Sequence, residues 1–239
     1  RYAQGDIVFI RHGNASSCLR SFRYNSHMLK GDSQFHEILH KFSQETNETE
    51  RKALEEGIWK RYGAEHTVFV LDMSGFSLLT RKYGIVHYLS MIQRMQQTVI
   101  PIVEGHNGRI VKFEADNCFA VFPNPLLAAR AATTMQHAFH AANLLTSDEL
   151  DIHVAIGIDY GKILLINNED MFGDAVNRAC KIKKDIGYAG EVLITKDAMD
   201  LIPKDADIQG KLIELSIGGL STPAYSIMYR PYKEEETEK

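Results

Sequence analysis

A chain of 239 residues, 44% hydrophobic and 24% charged, can bury one good-sized core and carry an appendage. A formal net charge of −4 excludes a global basic signature for nucleic acid, and no apolar run approaches the roughly 18–20 residues that span a bilayer. Three dispersed cysteines, Cys18, Cys118 and Cys180, suit neither a disulfide framework nor a zinc site and favour a reducing, cytoplasmic setting.

Residues 1–35 read as irregular, with one short apolar strand at 7–10. Residues 36–62 read as helical. Ile38, Leu39 and Phe42 fall at helical spacing, as do Leu54, Ile58 and Tyr62, around a charged middle that marks a break or a solvated face. Gly63 is a fitting stop. "HTVFVLD" then reads as a strand, followed by helices in "GFSLLTRKYG" and "IVHYLSMIQRMQQTVIPIVEGHNG". In the longer helix, Val86, Leu89, Ile92, Met95, Val99 and Val103 form the expected apolar stripe, and Pro101 is a candidate kink.

"RIVKFEADNCFAVFP" reads as two strands with a polar break at Glu114–Asn117, and "NPLLAARAATTMQHAFHAANLL" as a helix. "DIHVAIGIDYGKILLIN" reads as a hairpin turning at Asp159-Tyr-Gly161. A helix in "MFGDAVNRACKIKKDIG", a strand in "GEVLIT", a short helix in "KDAMDLI" and two late strands complete the pattern, before a solvated tail. Alternating strands and helices with two tight β–β joins predict a mixed or antiparallel sheet with helices on one face, an α+β fold.

Two aspartates interrupt apolar surroundings. Asp72 closes the run Val68–Leu71, and Asp116 stands before "NCFAVF" at the tip of the expected hairpin. Each alone has a plainer reading: Asp72 as a helix N-cap, Asp116 as a turn residue. Brought together at one sheet edge, they form a site for a hard divalent cation, which nucleotidyl transfer needs.

"VLDMSGFSLLTRKYG", "GRIVKFEADNCFAVF", "VAIGIDYGKILL" and "DMFGDAVNRACKI" resemble, in this order, pieces of the class III adenylyl/guanylyl cyclase catalytic domain. The resemblance covers roughly residues 64–230. It leaves 1–63 as an N-terminal extension with a helical segment and 231–239 as a charged tail. It implies a ferredoxin-like α+β core and a head-to-tail homodimer with composite active sites. Asp72 and Asp116 match the metal aspartates for two Mg²⁺ or Mn²⁺ per site. The other face supplies base recognition, ribose contact and transition-state groups.

Within the resemblance, Lys112 stands four residues before Asp116, where adenylyl cyclases carry lysine and guanylyl cyclases glutamate. Asp170 stands seven residues before the ribose asparagine, matched by Asn177. Lysine only donates, which suits adenine's ring nitrogen, and aspartate accepts from its amino group. ATP is therefore the expected substrate and 3′,5′-cyclic AMP the product. Gly75 and Phe76, at the start of the helix after Asp72, are the expected donors of backbone N–H groups to the phosphates.

Three positions depart from the family. Ala115 replaces the usual glycine before the second aspartate. Lys181 stands where the transition-state arginine is expected, keeping the charge but losing the planar fork; Arg178 and Lys184 are nearby substitutes. The late hairpin has Ser216 and Ile217, with Lys211 nearby, where a triphosphate lysine is common. Rival readings are a cyclase for GTP or a pyrimidine nucleotide, a catalytically impaired nucleotide-binding module, and a polymerase palm-like domain, which the absence of a basic stripe counts against. His36/His40 and His137/His140 have helical ligand spacing without an evident third ligand, so surface or interface roles are expected. Residues 36–62 form a helical segment that either dimerises or caps the sheet. The chain begins at Arg1, which leaves room for an upstream regulatory or membrane segment.

Overall fold

In a computed structural model of the protein, residues 32–186, 190–217 and 220–229 are described, the side chains of 76, 77, 183–186, 215–217 and 220–222 excepted. The expected strand at 7–10 and the tail at 231–239 lie outside the described residues. Two helices lead into the sheet, α1 (Ser33–Gln44) and α2 (Glu48–Tyr62). The charged middle of 36–62 is a true break. Asn47 accepts from the Thr49 and Glu50 backbone N–H groups, starting a new helix with its side chain. Asp32 does the same for α1 and also takes the Tyr62 hydroxyl at 2.9 Å, tying the two helices together. Phe35, Ile58 and Tyr62 pack on Ile166, so the pair caps one end of the sheet. Helix α2 passes directly into strand β1 (Gly63–Met73). A Cβ at Gly63 would lie 2.2 Å from the Trp59 carbonyl oxygen, so this junction requires glycine.

The remaining elements are α3 (Phe76–Tyr83), α4 (Ile85–Gly105), β2 (Arg109–Glu114), β3 (Asn117–Phe122), α5 (Pro125–Asn143), β4 (Val154–Ile166), β5 (Asp170–Phe172), α6 (Asp174–Ile186), β6 (Val192–Thr195), α7 (Lys196–Met199), β7 (Gln209–Ile217) and β8 (Leu220–Met228). The strand order is β2-β3-β1-β4-β6-β8-β7, with β5 paired to β4 off this path. All pairings are antiparallel except β4 with β6. The first four strands have the ferredoxin-like order, so the α+β expectation holds and the sheet is mixed.

Helices cover both faces of the sheet rather than one. Phe69, Leu71 and Met73 point to the side of α4 and α5, while Val68 and Val70 point to the side of α6. The four residues 68–71 are all fully buried, which explains a continuous apolar run instead of alternation. The expected stripe on α4 is also rotated at its start. Val86 and Leu89 are 77% and 54% exposed, and Tyr88 and Met91 are buried with Met95, Val99 and Val103. Both sets have helical spacing. Tertiary packing, not periodicity, chose between them.

A second correction concerns the hairpin expected at Asp159–Gly161. Residues 154–166 form one strand, because β1 is long enough to pair with it continuously from Met73↔Val154 to Gly63↔Leu164. The reversal comes later, after Ile166, where Asn167 and Asn168 take positive φ and β5 returns along β4. Gly161 instead marks a close approach of α6: a Cβ there would sit 3.4 Å from that of Ala175. Among the described residues no helix is long and apolar enough to cross a membrane.

Candidate active site

Asp72 is the penultimate residue of β1, between Asn117 on β3 and Ala155 on β4. It does not cap the next helix. The N-cap of α3 is Gly75, at φ 91 and without a side-chain cap. The first N–H groups of α3 therefore emerge beside the strand end without a capping side chain. The side chain of Phe76 lies outside the described residues; its backbone opens α3.

Asp116 occupies the two-residue turn between β2 and β3, as the sequence predicts, and its carbonyl accepts the Met73 N–H at 3.2 Å. The two aspartates thus share one edge of the sheet. Ala115 does not move the turn away from the left-handed region. It adopts φ 52, a conformation that suits glycine and costs alanine about 1 kcal/mol.

The Asp116 carboxylate is held by two uncharged donors. Tyr88 Oη donates to Oδ2 at 2.8 Å, and Asn117 Nδ2 to Oδ1 at 3.2 Å. Tyr88, from the first turn of α4, is a site residue that the apolar stripe does not include. Its spacing to Met91 and Met95 is the signal that could have found it. Burial first, then the hydrogen bond to Asp116 and the charges of Asp116 and Asp72, push the phenol's pKa above its ordinary value, so it remains a protonated donor.

The donor set fits a hard divalent cation. Each Asp116 oxygen keeps a lone pair beyond its one hydrogen bond, and carboxylate oxygens are the ligands Mg²⁺ and Mn²⁺ prefer. Among the described residues no group of three or more His, Cys, Asp and Glu gathers, and a Mg²⁺ ion held by one or two carboxylates completes its shell with water and phosphate.

On the same hairpin, Lys112 Nζ lies 2.9 Å from Asp170 Oδ1 and 3.3 Å from Glu114 Oε2. The ammonium also sits 5.1 Å from the centre of the Phe119 ring. Burial alone would lower the Lys112 pKa; Asp170 and then Glu114 outweigh it and hold it above the ordinary lysine value. Strand β5 therefore brings Asp170 to Lys112 from 58 positions away. Asp170 also accepts its neighbour's N–H, that of Met171, at 2.8 Å, which fixes the carboxylate.

Asn177 and Lys181 are exposed on the outer face of α6, one turn apart, while Ala175, Val176, Ala179 and Ile182 bury the inner face. Arg178, one of the two nearby cations, is engaged within the chain. Its Nε binds Asp159 Oδ2 at 2.6 Å and its Nη1 binds Asp174. Asp159 is fully buried and also takes the Thr195 hydroxyl at 2.5 Å. Burial pushes its carboxyl above the ordinary aspartate range, against the pull of Thr195 and Arg178. The Lys184 side chain and those of Ser216 and Ile217 lie outside the described residues; Lys211 is exposed on β7.

The fold is that of class III nucleotide cyclase catalytic domains. It superposes on the adenylyl cyclase CyaB from P. aeruginosa with a TM-score of 0.60 at 18% identity, covering 70% of this chain and 96% of that one. The adenylate/guanylate cyclase/hydrolase from Silicibacter pomeroyi gives 0.62 at 22%, covering 70% and 98%. The guanylyl cyclase Cya2 gives 0.60 at 14%, covering 73% and 96%. In sequence, the chain is 28% identical over 153 residues to "Putative adenylate cyclase 3" of Rhizobium meliloti, 64% of this chain and 25% of that protein. It is 27% identical over 133 residues to an uncharacterized protein of Mycobacterium tuberculosis, 55% of this chain and 33% of that protein. The matched stretches thus span a quarter to a third of these relatives. No family model matches the chain.

Proposed function

We propose that residues 64–230 form an adenylyl cyclase domain that converts ATP to 3′,5′-cyclic AMP and pyrophosphate in the cytoplasm. The ion pair between Lys112, on the hairpin that carries Asp116, and Asp170, on β5, is the observation that supports this most. It sets a donor beside an acceptor at 2.9 Å, matching adenine's ring nitrogen and amino group. Asp72 and Asp116 hold Mg²⁺ or Mn²⁺, which when bound supplies Lewis-acid stabilisation of phosphate charge. In the reaction the ribose 3′-oxygen bonds to the α-phosphorus, its proton passes to water, the bond from that phosphorus to the α–β bridging oxygen breaks and pyrophosphate departs with that oxygen. Positioning and charge stabilisation carry such a displacement. The Gly75 end of α3 offers N–H groups to the triphosphate. Asn177 orients the ribose and Lys181 offsets transition-state charge.

The outward placement of Asn177 and Lys181 supports a head-to-tail homodimer, in which they, with Lys112 and Asp170, complete the partner's site. The α1–α2 pair belongs to the extension before residue 64. GTP is the second reading. The guanylyl cyclase Cya2 is as similar in fold as CyaB, and a donor–acceptor pair also matches guanine's O6 and N1–H. Turnover of the four nucleoside triphosphates with Mn²⁺ decides. Cyclic AMP as the main product is expected, cyclic GMP favours the second reading, and nucleotide binding without any cyclic product overturns both.

A further inference from the structure

We propose that Tyr88 is a positioning residue for the metal-binding carboxylate, its phenol fixing the plane of Asp116; this rests on the metal reading of Asp72 and Asp116. The inner face of α4 is otherwise apolar, with Met91, Met95, Val99 and Val103 all buried. The hydroxyl appears where that face meets the tip of the β2–β3 turn. Tyr88 is 0% exposed and donates to Oδ2 at 2.8 Å. A phenylalanine would fill the same core volume without a polar group to satisfy, so packing alone does not call for the oxygen.

The turn needs such a clamp. It has two residues, one of them Ala115 at φ 52, and Asp116 is only half-buried. A carboxylate on a tip like this can rotate. Tyr88 on Oδ2 and Asn117 on Oδ1 fix its plane, and each oxygen keeps a lone pair for an ion. Tyr88 itself is anchored. Its ring lies in the main core, and its neighbour His87 is tied through Nε2 to the Glu149 carbonyl at 2.8 Å. The helix therefore dictates the carboxylate, and not the reverse. Groups that orient a metal ligand from behind commonly govern affinity.

The test is Mn²⁺ binding followed by electron paramagnetic resonance on the whole chain, with 3′-deoxy-ATP present so that no 3′-hydroxyl can react. Tyr88→Phe should weaken Mn²⁺ binding about tenfold. Met91→Ala, which loosens the same helix face without touching Asp116, should lower the thermal midpoint but leave Mn²⁺ affinity within about twofold. If Tyr88→Phe does not fold, Tyr88→Met takes its place. Affinity unchanged by loss of the hydroxyl, or weakened equally by Met91→Ala, overturns the positioning role while the metal reading stands. Asp116→Asn separates the two ideas: if it too leaves Mn²⁺ binding unchanged, the metal reading falls and this inference with it.

Discussion

Asp116 and Asp159 are both carboxylates on the same sheet, and the protein treats them oppositely. Asp159 is fully buried and supplied with a cation, Arg178, and a hydroxyl, Thr195. Asp116 is half-buried, near a second carboxylate, and held by a phenol and an amide. The first arrangement completes the ion's needs from within the chain. The second orients an anion and leaves lone pairs for something else. The first is expected to act on stability and the second on the proposed metal.

The largest expected effect tests the open site. Asp72→Ala or Asp116→Asn, the latter keeping an acceptor for the buried Tyr88 hydroxyl, should lower cyclic nucleotide formation by at least about 10³-fold in a purified-protein assay. Lys112→Glu comes next. It removes the donor and sets a like charge beside Asp170, so kcat/KM for ATP should fall about 10²-fold relative to GTP. An unchanged ATP-to-GTP ratio would remove Lys112 and Asp170 from base recognition.

The closed site predicts a stability effect. Arg178→Met leaves Asp159 buried without its cation and should destabilise the fold by about 3 kcal/mol in urea denaturation. Destabilisation of less than about 1 kcal/mol would show that the pair is not an architectural lock. The pH dependence should follow the same contrast. A carboxyl whose folded pKa stands above its unfolded value contributes most to stability below the unfolded pKa, about 3.9, and loses that contribution as pH rises through the folded value. Asp159→Asn never ionises. Its stability relative to the native chain should therefore improve as pH rises above about 4, as denaturation at each pH would show. The smallest effect is at the turn: Ala115→Gly should raise stability by about 1 kcal/mol, since glycine takes φ 52 without strain.

The local features of the fold are legible in the amino-acid sequence. The capped break between α1 and α2, the stop at Gly63 and the turn at Glu114–Asn117 are set locally: by Asn47 accepting from its own backbone, by the missing Cβ at Gly63 and by Asn117 donating to the Glu114 carbonyl. Spacing also places Asn177 and Lys181 on one helix face. The features that local pattern misreads are non-local. Asp159-Tyr-Gly161 resembles a turn because Asp and Gly often form one; the length of β1 pulls those residues into one strand, and α6 explains the glycine. Val86 and Leu89 resemble core because they keep the helical period. Tyr88 keeps it equally well, and only the hairpin tip gives its hydroxyl a partner. Arg178 has the right charge and lies close by in sequence, but β4 places Asp159 against it.

By itself the sequence determined most of the elements and the order of four motifs, because period, capping and turn chemistry act within a few residues. Only the tertiary structure decided which carboxylate is neutralised and which is left open. That choice depends on cations and hydroxyls brought from distant strands and helices, as Thr195 is brought to Asp159, Tyr88 to Asp116 and Lys112 to Asp170. Burial and pairing are properties of position in space, and no window of sequence contains them.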